Sequence, residues 1–170
     1  MDERIWTDRP LQIGHSLEKR DCRISREAVP HVTLVSGDLG LISLTLASGA
    51  QKLGLADVPA GSDYMITISR DHAALVTDRP VERRSGWQPE GFALSPAPDA
   101  YALFTLRGPR AEAILGHGLN SVLPVGSLSC AVRFAHRTML VTGLPDGFAL
   151  WVLGAEITFV TRFLNGISDH

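Results

Sequence analysis

Lysine is almost missing from this 170-residue chain: only Lys19 and Lys52 are present, and the rest of its 16 Lys+Arg are arginines. Against 18 Asp+Glu they leave a net charge of −2. There is no basic excess, which argues against nucleic acid, because phosphate binding wants one. Cysteine is equally sparse. Cys22 and Cys130 can build neither a disulfide framework nor a four-ligand zinc site, and two reduced thiols suit a cytoplasmic chain. No apolar run approaches the roughly 20 residues a membrane span needs. The opening MDERIWTDRPLQIG is charged and lacks the apolar stretch of a secretory signal. No phosphate-binding G-x-x-x-x-G-K-[ST], no G-x-G-x-x-G after a strand, no H-E-x-x-H, no G-x-S-x-G and no C-x-x-C occurs. The six histidines, at 15, 31, 72, 117, 136 and 170, are scattered. The sequence therefore offers no catalytic residue and no metal site, and it leaves any cofactor-binding residue unidentified.

What is there is ordinary globular composition, 45% apolar and 20% charged, enough for one domain or two small lobes sharing a core. Residues 1–30 carry mixed charge and single apolar residues, which predicts an irregular N-terminal arm. Trp6 is its exception, since a tryptophan in a polar arm docks on something. Residues 32–36 and 41–46 read as strands around Gly37-Asp38-Leu39-Gly40, with Ile42, Leu44 and Leu46 on one face. A short helix is expected over 48–55, and strands over 64–69 and 73–77. Pro80, Gly86, Pro89 and Gly91 mark 78–91 as a linker or exposed loop. A strand over 102–106 then runs into a helix opened by Gly108-Pro109, with Ala111, Ile114, Leu115 and Leu119 at helical spacing. Strands at 129–134, 139–142 and 148–153 follow, the last two joined at Pro145-Asp146-Gly147. A final helix covers 155–164. Leu44-Thr45-Leu46-Ala47-Ser48-Gly49 echoes Phe104-Thr105-Leu106-Arg107-Gly108-Pro109, at an offset of about sixty residues. The expected architecture is α+β: two β-α-β-β lobes with mainly antiparallel sheets, over 31–90 and 91–170.

Few side chains suggest chemistry. Arg133, His136 and Arg137 lie together at an expected hairpin turn and form a candidate anion cluster; a solvated turn is the plainer reading. Arg79 through Arg84 is a basic run in the expected loop. On the last helix, Ile157, Phe159, Val160, Phe163 and Leu164 span an apolar arc of about 160°. That is wide for one small sheet, so Phe159 and Phe163, with Trp6, are candidate interface residues.

The run from Asp99 to Leu115, a strand followed by Arg107-Gly108-Pro109-Arg110-Ala111 and a helix ending Ile114-Leu115, resembles a segment of aminomethyltransferase-like folate proteins. It is similar more specifically to the γ subunit of heterotetrameric sarcosine oxidase. In that family the segment is followed by a leucine–proline stretch, here 119–124, and a small-residue strand with cysteine, here Gly126-Ser127-Leu128-Ser129-Cys130-Ala131. Two strands and an amphipathic helix then close the chain. Where the family has an arginine–serine–phenylalanine run, this chain has Leu153-Gly154-Ala155-Glu156. The resemblance implies part of the aminomethyltransferase fold and a non-catalytic accessory subunit without its own cofactor. It implies larger α and β subunits carrying FAD, FMN, NAD and tetrahydrofolate, and a small δ subunit. The alternative is a stand-alone folate- or small-ligand-binding protein of the same fold.

Overall fold

In the computed structural model, which describes residues 9–119 and 126–167, strand residues alternate between two faces and split the apolar side chains into three cores. The first lobe contains β3 (His31–Ser36), α1 (Leu39–Leu46), β4 (Gln51–Leu53), β5 (Tyr64–Thr67) and β6 (His72–Thr77). The second contains β9 (Tyr101–Arg107), α2 (Ala111–Gly118), β10 (Ala131–Phe134), β11 (Arg137–Leu144) and β12 (Gly147–Leu153). A 3₁₀ turn (Gly154–Glu156) leads into α3 (Ile157–Gly166). Two hairpins complete the sheets: β1 (Ser16–Lys19) with β2 (Cys22–Glu27), and β7 (Gly86–Trp87) with β8 (Ala93–Pro96). The fold is α+β with two mainly antiparallel sheets. Among the described residues, only β4 and β5 pair in parallel.

The hairpins are exchanged between the lobes. The sheet of the first lobe runs β4-β5-β6-β3-β8-β7, and that of the second runs β10-β11-β12-β9-β2-β1. Position for position the two orders correspond. The β1–β2 hairpin precedes the first lobe in sequence yet completes the sheet of the second, through β2 against β9. The β7–β8 hairpin precedes the second lobe and completes the first, through β8 against β3. The repeat is real, but its offset is not the sixty residues read from the sequence. The strands β1 and β7 open at 16 and 86, and β3 and β9 at 31 and 101.

Part of the expected arm at 1–30 is therefore this first hairpin. Its single apolar residues are a strand's inward face: Cys22 and Ile24 are buried against β9 and α2. Trp6 lies outside the described residues. Residues 9–13 lie along α3, where Leu11 N–H donates to Thr161 Oγ1 at 3.1 Å and Arg26 donates to Leu11 O at 2.7 Å. Lys19 Nζ donates to Asn165 O and Ile167 O, both at 2.9 Å, and so supplies a cation at the C-terminal end of α3.

Two other expectations are corrected. Residues 41–46 are not a strand but most of α1, because the Asp38 carboxylate accepts from the N–H groups of Gly40 (2.8 Å) and Leu41 (3.1 Å) and starts a helix. Ile42 is buried while Leu44 is 76% exposed, so the apparent alternation was not a sheet face. The helix expected over 48–55 is instead β4 and its flanking turns. In α2 the helical phase is as read, with Ala111, Ile114 and Leu115 buried. The N-cap, however, is Arg110 rather than Gly108.

The layers are helix, sheet, sheet, helix. One core, with Val32, Ile66, Ala74, Val76, Leu140 and Trp151, lies between the sheets. Tyr64 of one sheet meets Trp151 of the other edge-on at 6.5 Å. A second core packs α1 on the first sheet around Val35, Ile42, Met65, Leu75 and Phe92. A third packs α2 and α3 on the second around Phe104, Leu106, Phe134, Leu150, Val160 and Leu164.

Candidate functional site

Two connecting segments cross between the lobes and build a polar–apolar junction. After β4 the chain crosses to the second sheet: Ala56 N–H donates to Val141 O (3.4 Å), and Gly143 N–H donates to Asp57 O (2.8 Å). Before β10 it crosses to the first: Cys130 N–H donates to Thr67 O (2.7 Å), and Ser129 Oγ donates to Ile68 O (2.7 Å). The two crossings touch where Leu55 N–H donates to Ser127 O at 2.9 Å. Gly54 has to be glycine, because a Cβ there would stand 2.5 Å from Ser127 O.

A cleft of about 430 Å³ opens beside this crossing. Its apolar lining is Leu39 of α1, Leu53 of β4 and Leu128 of the second crossing, and its cations are Lys52 and Arg70. Volume and lining fall in the range of small-molecule sites. Among the described residues neither cation has a carboxylate within ion-pair distance. Lys52 stands at the first turn of α1, where a Cβ on Gly40 would lie 4.0 Å from its Nζ. Asp38, nearby, has its carboxyl held below the ordinary range, first by the Leu41 and Gly40 N–H groups and to a lesser degree by Lys52. Asp57 also lines the cleft, with its carboxylate accepting from Gly54 N–H at 2.7 Å.

The second lobe has a corresponding cleft of about 380 Å³ at the start of α2. The correspondence is fixed by matching bonds: Gly37 N–H donates to Asp71 O and Gly108 N–H donates to Asp146 O, each at 2.9 Å. There the charges are acidic or already paired. Glu112 and Asp146 line it, and Arg107 donates to Asp146. Two equivalent positions of one fold thus differ in charge.

The Arg133–Arg137 candidates are not brought together. Ala135 and His136, with φ of 46° and 66°, form the two-residue turn between β10 and β11. Arg133 pairs with Thr138 on one face, and Arg137 pairs with Phe134 on the other. Arg137 lies 5.4 Å over the Phe159 ring and 3.5 Å from Glu156, so it is engaged by α3. Phe163 meets Phe134 edge-on at 5.1 Å. Both α3 phenylalanines are half-buried and serve this chain's own core. Their neighbour Gly118 is part of the same packing, since a Cβ there would fall 2.2 Å from the Phe134 ring. Of the basic run, Arg83 donates to Glu90 at 2.6 Å. The cleft cations Lys52 and Arg70 were missed by sequence reasoning. The signal available for half of the cleft was Gly37-Asp38, a helix start that would have put Lys52 beyond the end of a helix rather than inside one. Nothing local joins Lys52 to Leu128.

Both thiols are shielded by burial. Cys130 is buried, and its Sγ donates to Leu53 O (3.3 Å) and Gly54 O (3.2 Å). Burial pushes it up to about 12. Cys22 is raised too, again by burial first. Tyr64, between the sheets, is pushed up to about 12 by the same cause. All three are neutral in the folded protein at pH 7, and each ionises more readily once exposed by unfolding. Stability is therefore expected to fall as pH rises from 9 to about 12, where folded Cys130 and Tyr64 ionise. Urea unfolding across that range checks it, and Cys130→Ala combined with Tyr64→Phe should flatten the fall. Undiminished stability at pH 11 would contradict the burial described.

No protein-family model matches the sequence, and no curated protein matches it. The fold does find a counterpart. This chain is similar in fold to a chain of a heterotetrameric oxidase, matched over most of both chains. The structure in question is heterotetrameric sarcosine oxidase from Corynebacterium sp. U-96 in complex with pyrrole 2-carboxylate. The match has a TM-score of 0.66 and covers 87% of this chain and 84% of that one, at 10% sequence identity.

Proposed function

We propose that this chain is a non-catalytic accessory subunit, of the γ type, in a flavin-dependent, sarcosine-oxidase-like N-methyl amine oxidoreductase complex. One observation carries the reading: the fold likeness to a sarcosine oxidase chain extends over 87% of this chain and 84% of that one. A shared fold alone does not fix function, so the segment from Asp99 to Leu115 is the second support. In the structure it is β9, the Gly108 turn and α2. The two thiols are buried and raised, and Arg137, the best placed cation of the basic turn, is occupied by α3. Flavins, nicotinamide dinucleotide and tetrahydrofolate belong, in this reading, to larger α and β partners, and a small δ subunit completes the assembly.

The chain purified alone should therefore show no flavin absorbance and no sarcosine oxidation. Absorbance near the flavin bands together with peroxide release on adding sarcosine reads both. A stoichiometric yellow chromophore in the lone chain would overturn the accessory role.

A further inference from the structure

We propose that the cleft beside the crossing is a binding site for a small organic anion. The charged end of the ligand lies between Lys52 and Arg70, and its apolar body lies on Leu39, Leu53 and Leu128. The inference does not rest on the accessory-subunit reading. It rests on the comparison of two equivalent clefts within one chain.

Both clefts sit at the start of the first helix of a lobe, beside the turn that bonds to Gly37 or Gly108. The fold therefore places a helix start, a turn and a crossing segment at each cleft, and the first cleft alone also draws on its lobe's edge strand, through Lys52 and Leu53. In the second lobe the turn aspartate Asp146 takes Arg107 as its partner, and Glu112 adds a further acid. In the first lobe the turn aspartate Asp71 is satisfied by His72 Nδ1 at 2.8 Å and Ser69 Oγ at 3.1 Å. Its neighbour Arg70 is left without an acidic partner among the described residues and lines the cleft. Lys52, one of only two lysines in the chain, lines the same cleft. Cations at the mouth of an apolar cavity attract an oxyanion, and arginine offers a planar fork that matches carboxylate and phosphate oxygens.

The apolar part has its own reason to be filled. Leu128 is 84% exposed, the most exposed large apolar side chain among the described residues, and it projects at the rim of the cleft. Its backbone is held on both sides, by Leu55 N–H on Ser127 O and by Ser129 Oγ on Ile68 O. The leucine is thus presented by a fixed segment. A flat ligand body set against Leu39 and Leu53 covers it. Asp57, on the same cleft, has an oxygen engaged by Gly54 N–H and repels anionic oxygens close to its side, which sets the charged end toward Lys52 and Arg70. The expected ligand is a carboxylate or phosphate ester on an apolar group small enough for about 430 Å³.

Isothermal titration of the full chain with benzoate, phenyl phosphate and benzyl alcohol tests this. Saturable binding of at least one anion is expected, with benzyl alcohol at least tenfold weaker. Tighter benzoate identifies carboxylates as the ligand class, and tighter phenyl phosphate identifies phosphate esters. Lys52→Ala and Arg70→Ala are surface changes, and each should weaken the anion at least fivefold. Arg79→Ala, on a different cavity, should leave it unchanged. No saturable binding of either anion, equal binding of benzyl alcohol, or anion binding untouched in the Lys52→Ala/Arg70→Ala double variant would each overturn the proposal. None of these results bears on whether the chain joins a larger complex.

Discussion

Replacing Trp151 by alanine is expected to cost about 3–5 kcal/mol of stability, the range for removing a buried aromatic side chain. Trp151 is 1% exposed and lies in the core between the sheets, with Val32, Ile66, Ala74, Val76 and Leu140 around it. Its indole N–H donates to Thr142 Oγ1 at 3.3 Å, so the deletion also leaves that buried hydroxyl without its partner. The effect should be one of docking as well as of volume, because most of that cluster comes from the opposite sheet. Trp151→Phe keeps most of the volume and should lose less. Trp87→Ala, 72% exposed on the short edge strand β7, should fall within about 0.5 kcal/mol of the parent. Urea unfolding followed by far-ultraviolet circular dichroism avoids the change in fluorophore. A cost near that of Trp87→Ala would mean that the two sheets do not share a core.

Gly108→Ala is the second large effect. Gly108 has φ of +118°, and a Cβ there would stand 2.5 Å from Asp21 O. The backbone conformation costs an alanine about 1–3 kcal/mol. Overpacking against the β1–β2 hairpin adds about 1–3 kcal/mol, because the obstacle is backbone and cannot swing away. Gly91→Ala is the matched control: φ is +94°, but nothing lies within 4 Å of the added Cβ. It should show only the conformational part. The difference between the two variants measures the seating of the exchanged hairpin on the second lobe. Equal costs would show that β1–β2 is not held where the structure places it. Gly37 (φ +137°), with Phe92 Cβ 2.9 Å from an added Cβ, is the corresponding residue for the β7–β8 hairpin and should repeat the result.

These glycines also show what a reading of the sequence can and cannot reach. The second lobe was legible nearly throughout. Its strands β11 and β12 run for eight and seven residues and carry β-branched and aromatic side chains, they are joined at Pro145-Asp146-Gly147, and Ile114 and Leu115 keep helical phase. The first lobe misled at α1. That helix is apolar on several faces, with Leu41 and Leu44 exposed, so no period stands out, and only the Asp38 cap separates helix from strand. The first hairpin was hidden because its apolar residues alternate with polar ones over only a few positions, Cys22 and Ile24 on either side of Arg23. Its partner strand lies some eighty residues away, as Ile24 against Leu106 shows. The charged cleft was out of reach for the same reason. Lys52, Arg70 and Leu128 come from three segments that meet only when the crossings form. Fold class was readable from local pattern. Exchange of hairpins and the cleft were not, because both are products of long-range pairing.

Affinity purification of the tagged chain from its own host is the most direct test of the central claim. The tagged chain is expected to come out with larger subunits in fixed proportion, in a complex that shows flavin absorbance and oxidises an N-methyl amine such as sarcosine. A chain that elutes alone as a monomer at every salt concentration, from cells that hold it in normal amount, would contradict the account.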